Sequence, residues 1–338
     1  MEPIRWGILG CGKISRKFAS DLDYVEGAKL IAVGARQLET AQEFAREFPA
    51  PHVHGSYEDL VSDPDVDVIY VATPHALHRE HTLLCLDHGK AVLCEKAFAI
   101  NLREVKEMID TARAKKIFLM EALWSKFLPQ YQKVQELITA GELGEIKSVL
   151  IDFGFVPQPP VPSRIFDPAL GGGSLLDIGI YNVFFALSFL GRPDEIEASM
   201  TPTSTGVDEQ CAMLFKYKNG AMAQLFSSLS TNLGTEADIG GTKNRIRLTS
   251  RFYAPSARIE IFSGREETKQ MIPVDKEPGS GYQYEARHVG ECLRKGLTES
   301  PVMTFADSLL LMETMDRIRT IAGIHYAVDN PQYNPALT

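Results

Sequence analysis

Residues 4–15 carry the first arrangement in the chain with a chemical use: an apolar run ends in Gly10-Cys11-Gly12, and Lys13, Ile14 and Ser15 follow. In a turn of this form the first glycine takes a backbone conformation that other residues avoid, and the second lets a pyrophosphate approach the main chain. The phosphates then sit on the N–H groups of the helix that Lys13 and Ile14 open, where the helix dipole favours negative charge. Ser15 takes the third small position, which still permits close helix–strand packing. The next informative side chain is Arg36, just after the apolar run 28–35. An acid there would accept hydrogen bonds from the adenosine ribose of NAD, but the first acid is Glu39. Arg36 is instead suited to clamp a 2′-phosphate with two parallel charge-assisted bonds, so the expected cofactor is NADP(H), preferred over NAD(H). Further along stand Thr73-Pro74-His75 with His78, the pair Glu95-Lys96, and a glycine run from Gly171 that leads to Asp177, Gly179 and Tyr181. Asp177 precedes Tyr181 by one helical turn, which puts both on one face. His78 and His81 flank Glu80, yet the spacing is not His-Glu-x-x-His and no third ligand is evident, so no metal is expected.

These groups need elements to position them. Residues 13–22 read as a helix, 28–35 as a buried strand, and 38–47 as a helix with Leu38, Ala41, Ala45 and Phe48 on one face. Ser56 opens a short helix. Strand 67–72, helix 74–87, strand 90–94, helix 102–114 and strand 117–121 continue the alternation. Strands alternating with helices in this way predict a doubly wound parallel sheet, with the glycine turn at the carboxyl end of its first strand, where such sheets bind ligands. The pattern changes after 121. A helix at 129–140 precedes strand-like segments at 146–155, 195–201, 210–217, 221–230, 235–240, 245–249 and 258–263, with hairpin signals such as Lys218-Asn219-Gly220 between them. Helices at 174–190, 283–295 and 305–322 interrupt or close the set. The prediction is an α/β chain of two domains. Residues 1–122 form the dinucleotide-binding domain on a parallel sheet, and 123–338 form an α+β domain with an open, mostly antiparallel sheet.

The 338 residues suffice for a hydrophobic core in each domain. A net charge of -9 without any basic stripe argues against a nucleic-acid partner. The longest apolar stretch, 178–190, is interrupted by Asn182 and Ser188 and is shorter than the roughly 20 residues a bilayer requires, so no membrane partner is expected. No signal peptide is expected ahead of Trp6. Cysteines at 11, 85, 94, 211 and 292 lack paired spacing, which suggests thiols in a reducing cytoplasm.

Taken together, Gly10-Cys11-Gly12, the Thr73-Pro74-His75 turn with His78, Glu95-Lys96 and the Gly171 to Tyr181 motif make the chain similar to the glucose-fructose oxidoreductase and inositol dehydrogenase (Gfo/Idh/MocA) superfamily. Within it, segments 91–96, 118–122 with Trp124, and 284–289 resemble dimeric dihydrodiol dehydrogenases and NADP-dependent D-xylose dehydrogenases. The resemblance runs over nearly the whole chain in order. It implies a Rossmann domain, an open-faced sheet that commonly builds homodimers or homotetramers, and a hydride-transfer site between the domains. One position departs from the family, which usually follows the Glu-Lys pair with proline; here Ala97 stands there, without proline's restriction of the backbone.

Hydride transfer between a nicotinamide and an alcohol or carbonyl carbon requires a proton carrier and a positive field on the oxygen. Tyr181 suits the first role, since a nearby ammonium favours the phenolate of a group that otherwise titrates near ~10. Lys96 suits the role of that ammonium, and Asp177 would orient the lysine or hold a substrate hydroxyl. Thr73, Pro74, His75, His78 and Glu95 join Gly10, Gly12, Lys13, Ile14, Arg36 and Lys96 on the cofactor side. Trp124 and Phe127 would stack on a flat or sugar-like small molecule, or simply pack the domain seam. Arg164 and Asp167, in a proline-rich wall at 156–170, contact substrate hydroxyls or face water. The expected activity is an NADP-dependent dehydrogenase or reductase acting on a sugar, polyol, dihydrodiol or dicarbonyl. An NAD-dependent glycosidase of the same superfamily is the first alternative, against which Arg36 argues. A non-catalytic NADP-binding sensor is the second, and it leaves Lys96 and Tyr181 without a purpose.

Overall fold

A computed structural model of the chain describes residues 2–159, 163–249, 251–264 and 268–330. Pro160 and Pro162 of the expected proline-rich wall lie outside the described residues. The chain forms two compact units, Met1–Phe127 with Glu277–Leu309, and Leu128–Lys276 with Leu310–Thr338.

The first unit alternates β1 (Ile4–Leu9), α1 (Lys13–Leu22), β2 (Ala28–Gly34), α2 (Leu38–Glu47), β3 (His52–His54), α3 (Tyr57–Val61), β4 (Val68–Val71), α4 (His78–Asp87), β5 (Ala91–Glu95), α5 (Leu102–Lys115) and β6 (Leu119–Ala122). Its sheet is parallel in the order β3-β2-β1-β4-β5-β6. That order reverses direction between β1 and β4, and the crevice at their carboxyl ends is where such a sheet receives a dinucleotide. β4, β5 and β6 are buried along their whole length, as expected of strands covered on both faces, and this accounts for their largely apolar sequences, with Glu95 and Glu121 as the exceptions. Local caps set the helix starts: Ser56 accepts from the Asp59 amide at 3.1 Å and Asn101 from the Glu104 amide at 3.1 Å. The three-residue β3 is absent from the sequence reading because two histidines around one valine give no apolar run.

In the second unit α6 (Pro129–Thr139) precedes β7 (Ile146–Gly154). A π-helical turn at Leu175–Gly179 then runs directly into α7 (Ile180–Leu190). Seven strands follow: β8 (Glu195–Pro202), β9 (Asp208–Lys216), β10 (Met222–Ser228), β11 (Ala237–Gly241), β12 (Asn244–Thr249), β13 (Arg258–Ser263) and β14 (Thr268–Ile272). The eight-stranded sheet has the order β14-β13-β12-β11-β7-β10-β9-β8, antiparallel except where β7 meets β10. The turn between β9 and β10 needs Gly220 at φ 81°, as the Asn-Gly signal anticipates. α7 packs on β7 and β10 and is buried along nearly its whole length, which makes it the core helix of this unit. The alternation along β7 sends Val149, Ile151 and Phe153 into that core and leaves Leu150 on the opposite face.

The chain then returns to the first unit with α8 (Tyr282–Arg294), and α9 (Phe305–Ala322) begins there before passing to the second at 309/310. The division therefore falls differently from a single break at 122/123. Two contacts explain the return. The Asp21 carboxylate accepts the Ser280 amide at 2.8 and 2.9 Å and the Tyr282 amide at 2.8 Å, and the Tyr282 ring stacks on Trp124 at 4.7 Å. Both partners lie far away in sequence, so no local pattern announces them.

Candidate active site

The cradle for a nucleotide is built from the first unit. Gly10 adopts φ 99°, and a Cβ there would lie 3.1 Å from both the Ala72 carbonyl oxygen and Thr73 Cγ2, so another residue would be strained and crowded at once. Gly12 caps α1 without any side chain, a Cβ on it would meet nothing within 4 Å, and the first turn holds no acid. Ser15 is buried, donates from Oγ to the Gly10 carbonyl and accepts the Gly12 amide at 3.3 Å. The amides at Lys13 and Ile14 thus open a helix end that no carboxylate competes for, a fit for the pyrophosphate of a dinucleotide. Arg36 is exposed just past β2. Its charge reaches Tyr57 and His81, which pack edge to face at 4.7 Å. Burial, then the charges of His78 and Arg36, bring His81 down to about 4, so it is neutral at pH 7. Burial pushes the Cys11 thiol up to about 11, which leaves it without nucleophilic character.

Glu95 ends β5 and Lys96 follows it. The Tyr70 hydroxyl donates to Glu95 Oε1, and the Lys96 amide donates to Oε2 at 3.2 Å, so both carboxylate oxygens are engaged at the base of the lysine. His78, fully buried, has Nδ1 2.7 Å from the Ala97 carbonyl oxygen and Nε2 2.8 Å from that of Thr73. Both neighbours are acceptors, so the ring satisfies both only as the imidazolium. It ties the turn after β4 to the backbone after Lys96, a fastening that does not need a proline at 97. Thr73 Oγ1 contacts His81 Nδ1 at 2.9 Å, and His75 is buried with its ring 5.7 Å from that of His78. His78 thus faces two carbonyl groups and His81 a hydroxyl.

Behind this half lies a carboxyl group the sequence reading did not single out. Glu285 of α8 is fully buried, and both of its oxygens lack a hydrogen-bond partner among the described residues. Burial, reinforced by Glu95 and Asp21, holds its carboxyl well above the usual carboxylate range. Glu121 on β6 is similarly buried and is pushed up to about 7 by that burial. Trp124 and Phe127 belong to the same packing. Trp124 is 8% and Phe127 4% exposed, the first stacked on Tyr282 and the second 5.0 Å from His288.

The second unit supplies Asp177 and Tyr181. Gly171 at φ 74° and Gly173 at φ 116° turn the chain into the π-helical turn that carries Asp177. Such turns are frequent at functional sites because they offset the side chains that follow. Asp177 is 7% exposed and accepts from Arg164 Nη1 at 3.0 Å, so two candidates from the sequence meet as an ion pair. Asp167 caps a short turn by accepting the Ala169 amide at 2.9 Å. Tyr181 is 5% exposed, with its ring 4.8 Å from Tyr253 and 6.0 Å from Phe153. Tyr253 also feels the Asp177 carboxylate, and its own phenol is raised chiefly by burial.

What holds this turn is Asp208. Its Oδ2 accepts the Ser174 hydroxyl at 2.7 Å and the Leu175 amide at 2.6 Å, while a Cβ on Gly173 would come within 2.2 Å of Oδ1. The Tyr326 hydroxyl donates to the Gly172 carbonyl at 2.6 Å from the far end of the chain. Neither anchor was legible, because each reaches the glycine run across a long stretch of sequence.

The oxidoreductase family with an NAD-binding Rossmann fold, GFO_IDH_MocA, matches residues 4–123, and the GFO/IDH/MocA C-terminal domain matches 131–247. The chain is 40% identical to a trans-1,2-dihydrobenzene-1,2-diol dehydrogenase of Xenopus tropicalis, over 95% of this chain and 99% of that one. It is 36% identical to that of Homo sapiens, over 96% and 99%. Among solved structures, a 3-ketoreductase from Actinomadura kijaniata in complex with NADP and TDP-benzene matches with a TM-score of 0.86 and 27% identity, covering 95% of this chain and 98% of that one.

Proposed function

The chain belongs to the GFO/IDH/MocA oxidoreductase family, and on that premise we propose that it is an NADP-dependent dehydrogenase or reductase acting on a CH–OH or carbonyl carbon of a sugar, polyol, dihydrodiol or dicarbonyl. The observation that carries the cofactor reading is the bare amino end of α1 at Gly12, open for an anion, together with the exposed Arg36 beyond β2. Gly10, Gly12, Lys13 and Ile14 would hold the pyrophosphate, and Arg36 the 2′-phosphate. Thr73, Pro74, His75 and His78 would form the backbone floor, and Glu95 would fix the base of Lys96. The nicotinamide, when bound, supplies or accepts the hydride.

This chain's own residues manage the proton. In the reducing direction the Tyr181 hydroxyl gives its proton to the carbonyl oxygen as that oxygen gains charge, and Tyr181 recovers a proton from solvent; oxidation runs the steps in reverse. Lys96 would supply the positive charge that stabilises the developing oxyanion of the substrate. Asp177, paired with Arg164, presents acceptor oxygens for a neighbouring substrate hydroxyl. The solved ketoreductase has been crystallised as a tyrosine-to-phenylalanine and as a lysine-to-alanine variant, in keeping with these two residue types at the centre of the chemistry.

The bare face of the eight-stranded sheet suits a second copy of the chain. Leu150 is 47% and Met222 41% exposed there, with Leu214 and Phe226 beside them and charged pairs such as Lys216–Glu197 and Arg247–Asp238 around them. A homodimer through this face buries that patch. All five cysteines are free thiols, which suits the cytoplasm.

The test follows NADPH absorbance against panels of sugars, diols and diketones, with nitrophenyl glycosides assayed in parallel. Turnover of the nucleotide with at least one carbonyl or alcohol class is expected. Glycoside cleavage without net nucleotide turnover would overturn it.

A further inference from the structure

Away from the nucleotide end of α1, the edge strand β3 carries His52 and His54, which share one side of the strand by its two-residue period. Both rings face one buried carboxylate. His52 Nδ1 lies 2.7 Å and His54 Nε2 2.9 Å from the same oxygen of Asp63, whose side chain is 3% exposed. The three donor atoms all lie within 4.8 Å of one another. The histidine side chains are 37% and 20% exposed, so the cluster is open to solvent on one side and closed by Asp63 on the other.

We propose that His52, His54 and Asp63 form a binding site for a divalent ion of the zinc class, with two imidazole nitrogens, one carboxylate oxygen and a water in the open position. The donor set matches the preference of zinc for nitrogen and carboxylate ligands. Bond lengths of about 2.0–2.2 Å at tetrahedral angles put neighbouring donors about 3.3–3.6 Å apart, so the two His–Asp63 distances lengthen by roughly half an ångström as the ion takes the place of the protons now shared with Asp63.

The neighbouring groups suit ligation. Asp65 Oδ2 stands 4.0 Å from His52 Nε2, on the side away from Asp63, where a carboxylate orients a metal-bound imidazole. The other Asp63 oxygen accepts the Asp65 amide at 2.9 Å, which fixes the carboxylate plane. Lys90 completes the frame by donating to the carbonyl oxygens of Asp63 at 2.5 Å and Val66 at 2.8 Å.

The ion would fasten β3 to the turn after α3. The His54 carbonyl accepts the Ala35 amide at 3.2 Å, immediately before Arg36, so the same fastening steadies the strand end from which Arg36 projects.

The experiment uses the full chain after chelator treatment, titrated with zinc by calorimetry and with cobalt by absorbance, alongside His54→Gln, Asp63→Asn and the His52→Gln/His54→Gln double variant. Circular dichroism without metal checks that each variant is folded. One ion per chain is expected, with affinity reduced at least ~10-fold in either single variant and lost in the double variant. Zinc should also raise the thermal midpoint of the wild type but not of the double variant. No stoichiometric uptake, uptake unchanged in the double variant, or a cobalt–thiolate band showing that cysteines take the ion would each overturn the proposal.

Discussion

Asp208→Asn tests how the glycine turn ahead of Asp177 and Tyr181 is held. Asp208 is fully buried, and burial lifts its carboxyl from 3.8 to about 6 despite the hydrogen bonds from Ser174 and Leu175. Its folded value lies above its unfolded one, so the stability this group contributes is complete below 3.8 and is lost as the pH rises through about 6. At ~1.36 kcal/mol per pH unit the loss amounts to about 3 kcal/mol. The amide oxygen of asparagine accepts the same two hydrogen bonds, and its nitrogen replaces Oδ1, which has no partner among the described residues. Asparagine therefore reproduces the protonated carboxyl at every pH. Hydrogen exchange of peptides spanning 171–190, referenced to intrinsic rates at each pH, reads the local opening. Variant and wild type should match at about pH 4, and by about pH 7.5 the variant should exchange up to ~100-fold more slowly. A difference that stays constant across this range, or faster exchange in the variant at about pH 7.5, would refute the reasoning.

Other substitutions probe separate parts of the account. Arg36→Asp puts a repelling carboxylate where the proposed 2′-phosphate clamp stands, so NADPH affinity measured by fluorescence titration should fall ~10–100-fold while NADH affinity holds or rises. Glu121→Gln removes a buried acid raised from 4.5 to about 7. The wild type should lose stability as pH climbs through that interval, and urea melts followed by the fluorescence of Trp6 and Trp124 should show the variant flat over it. Leu150→Glu combined with Met222→Glu puts charge on the bare sheet face, and sedimentation should shift from dimer to monomer with kcat altered less than ~3-fold.

Much of the first unit was legible because its signals are local. Gly10 and Gly12 sit between one strand and one helix, Arg36 follows the next strand, and Glu95-Lys96 stands at the end of another. Each needs only the alternation of apolar strands and amphipathic helices to be placed at the carboxyl edge of the sheet. Arg164 and Asp177 were both visible as candidates, but their pairing depends on a loop path that spacing does not encode. The π-helical turn was hidden because apolar periodicity around 175–190 is nearly continuous and cannot distinguish one hydrogen-bond step from another. Asp208 and Tyr253 carry no motif of their own, and the segment that holds Glu285 gives no sign of its burial. Asp208 and Glu285 act through burial, Tyr253 through its packing against Tyr181, and which neighbours they meet is decided by chain return.

The central claim is that Tyr181 moves the proton in a hydride transfer supported by NADP. It is tested by single-turnover reduction of an α-dicarbonyl or sugar carbonyl found in the substrate panel, using NADPH deuterated at the nicotinamide C4, with wild type and Tyr181→Phe compared at saturating nucleotide. The wild-type product should carry one deuterium and the variant's rate should be lower by ~10²–10⁴, with NADPH affinity unchanged. Product without deuterium, or a Tyr181→Phe rate equal to that of the wild type, would contradict it.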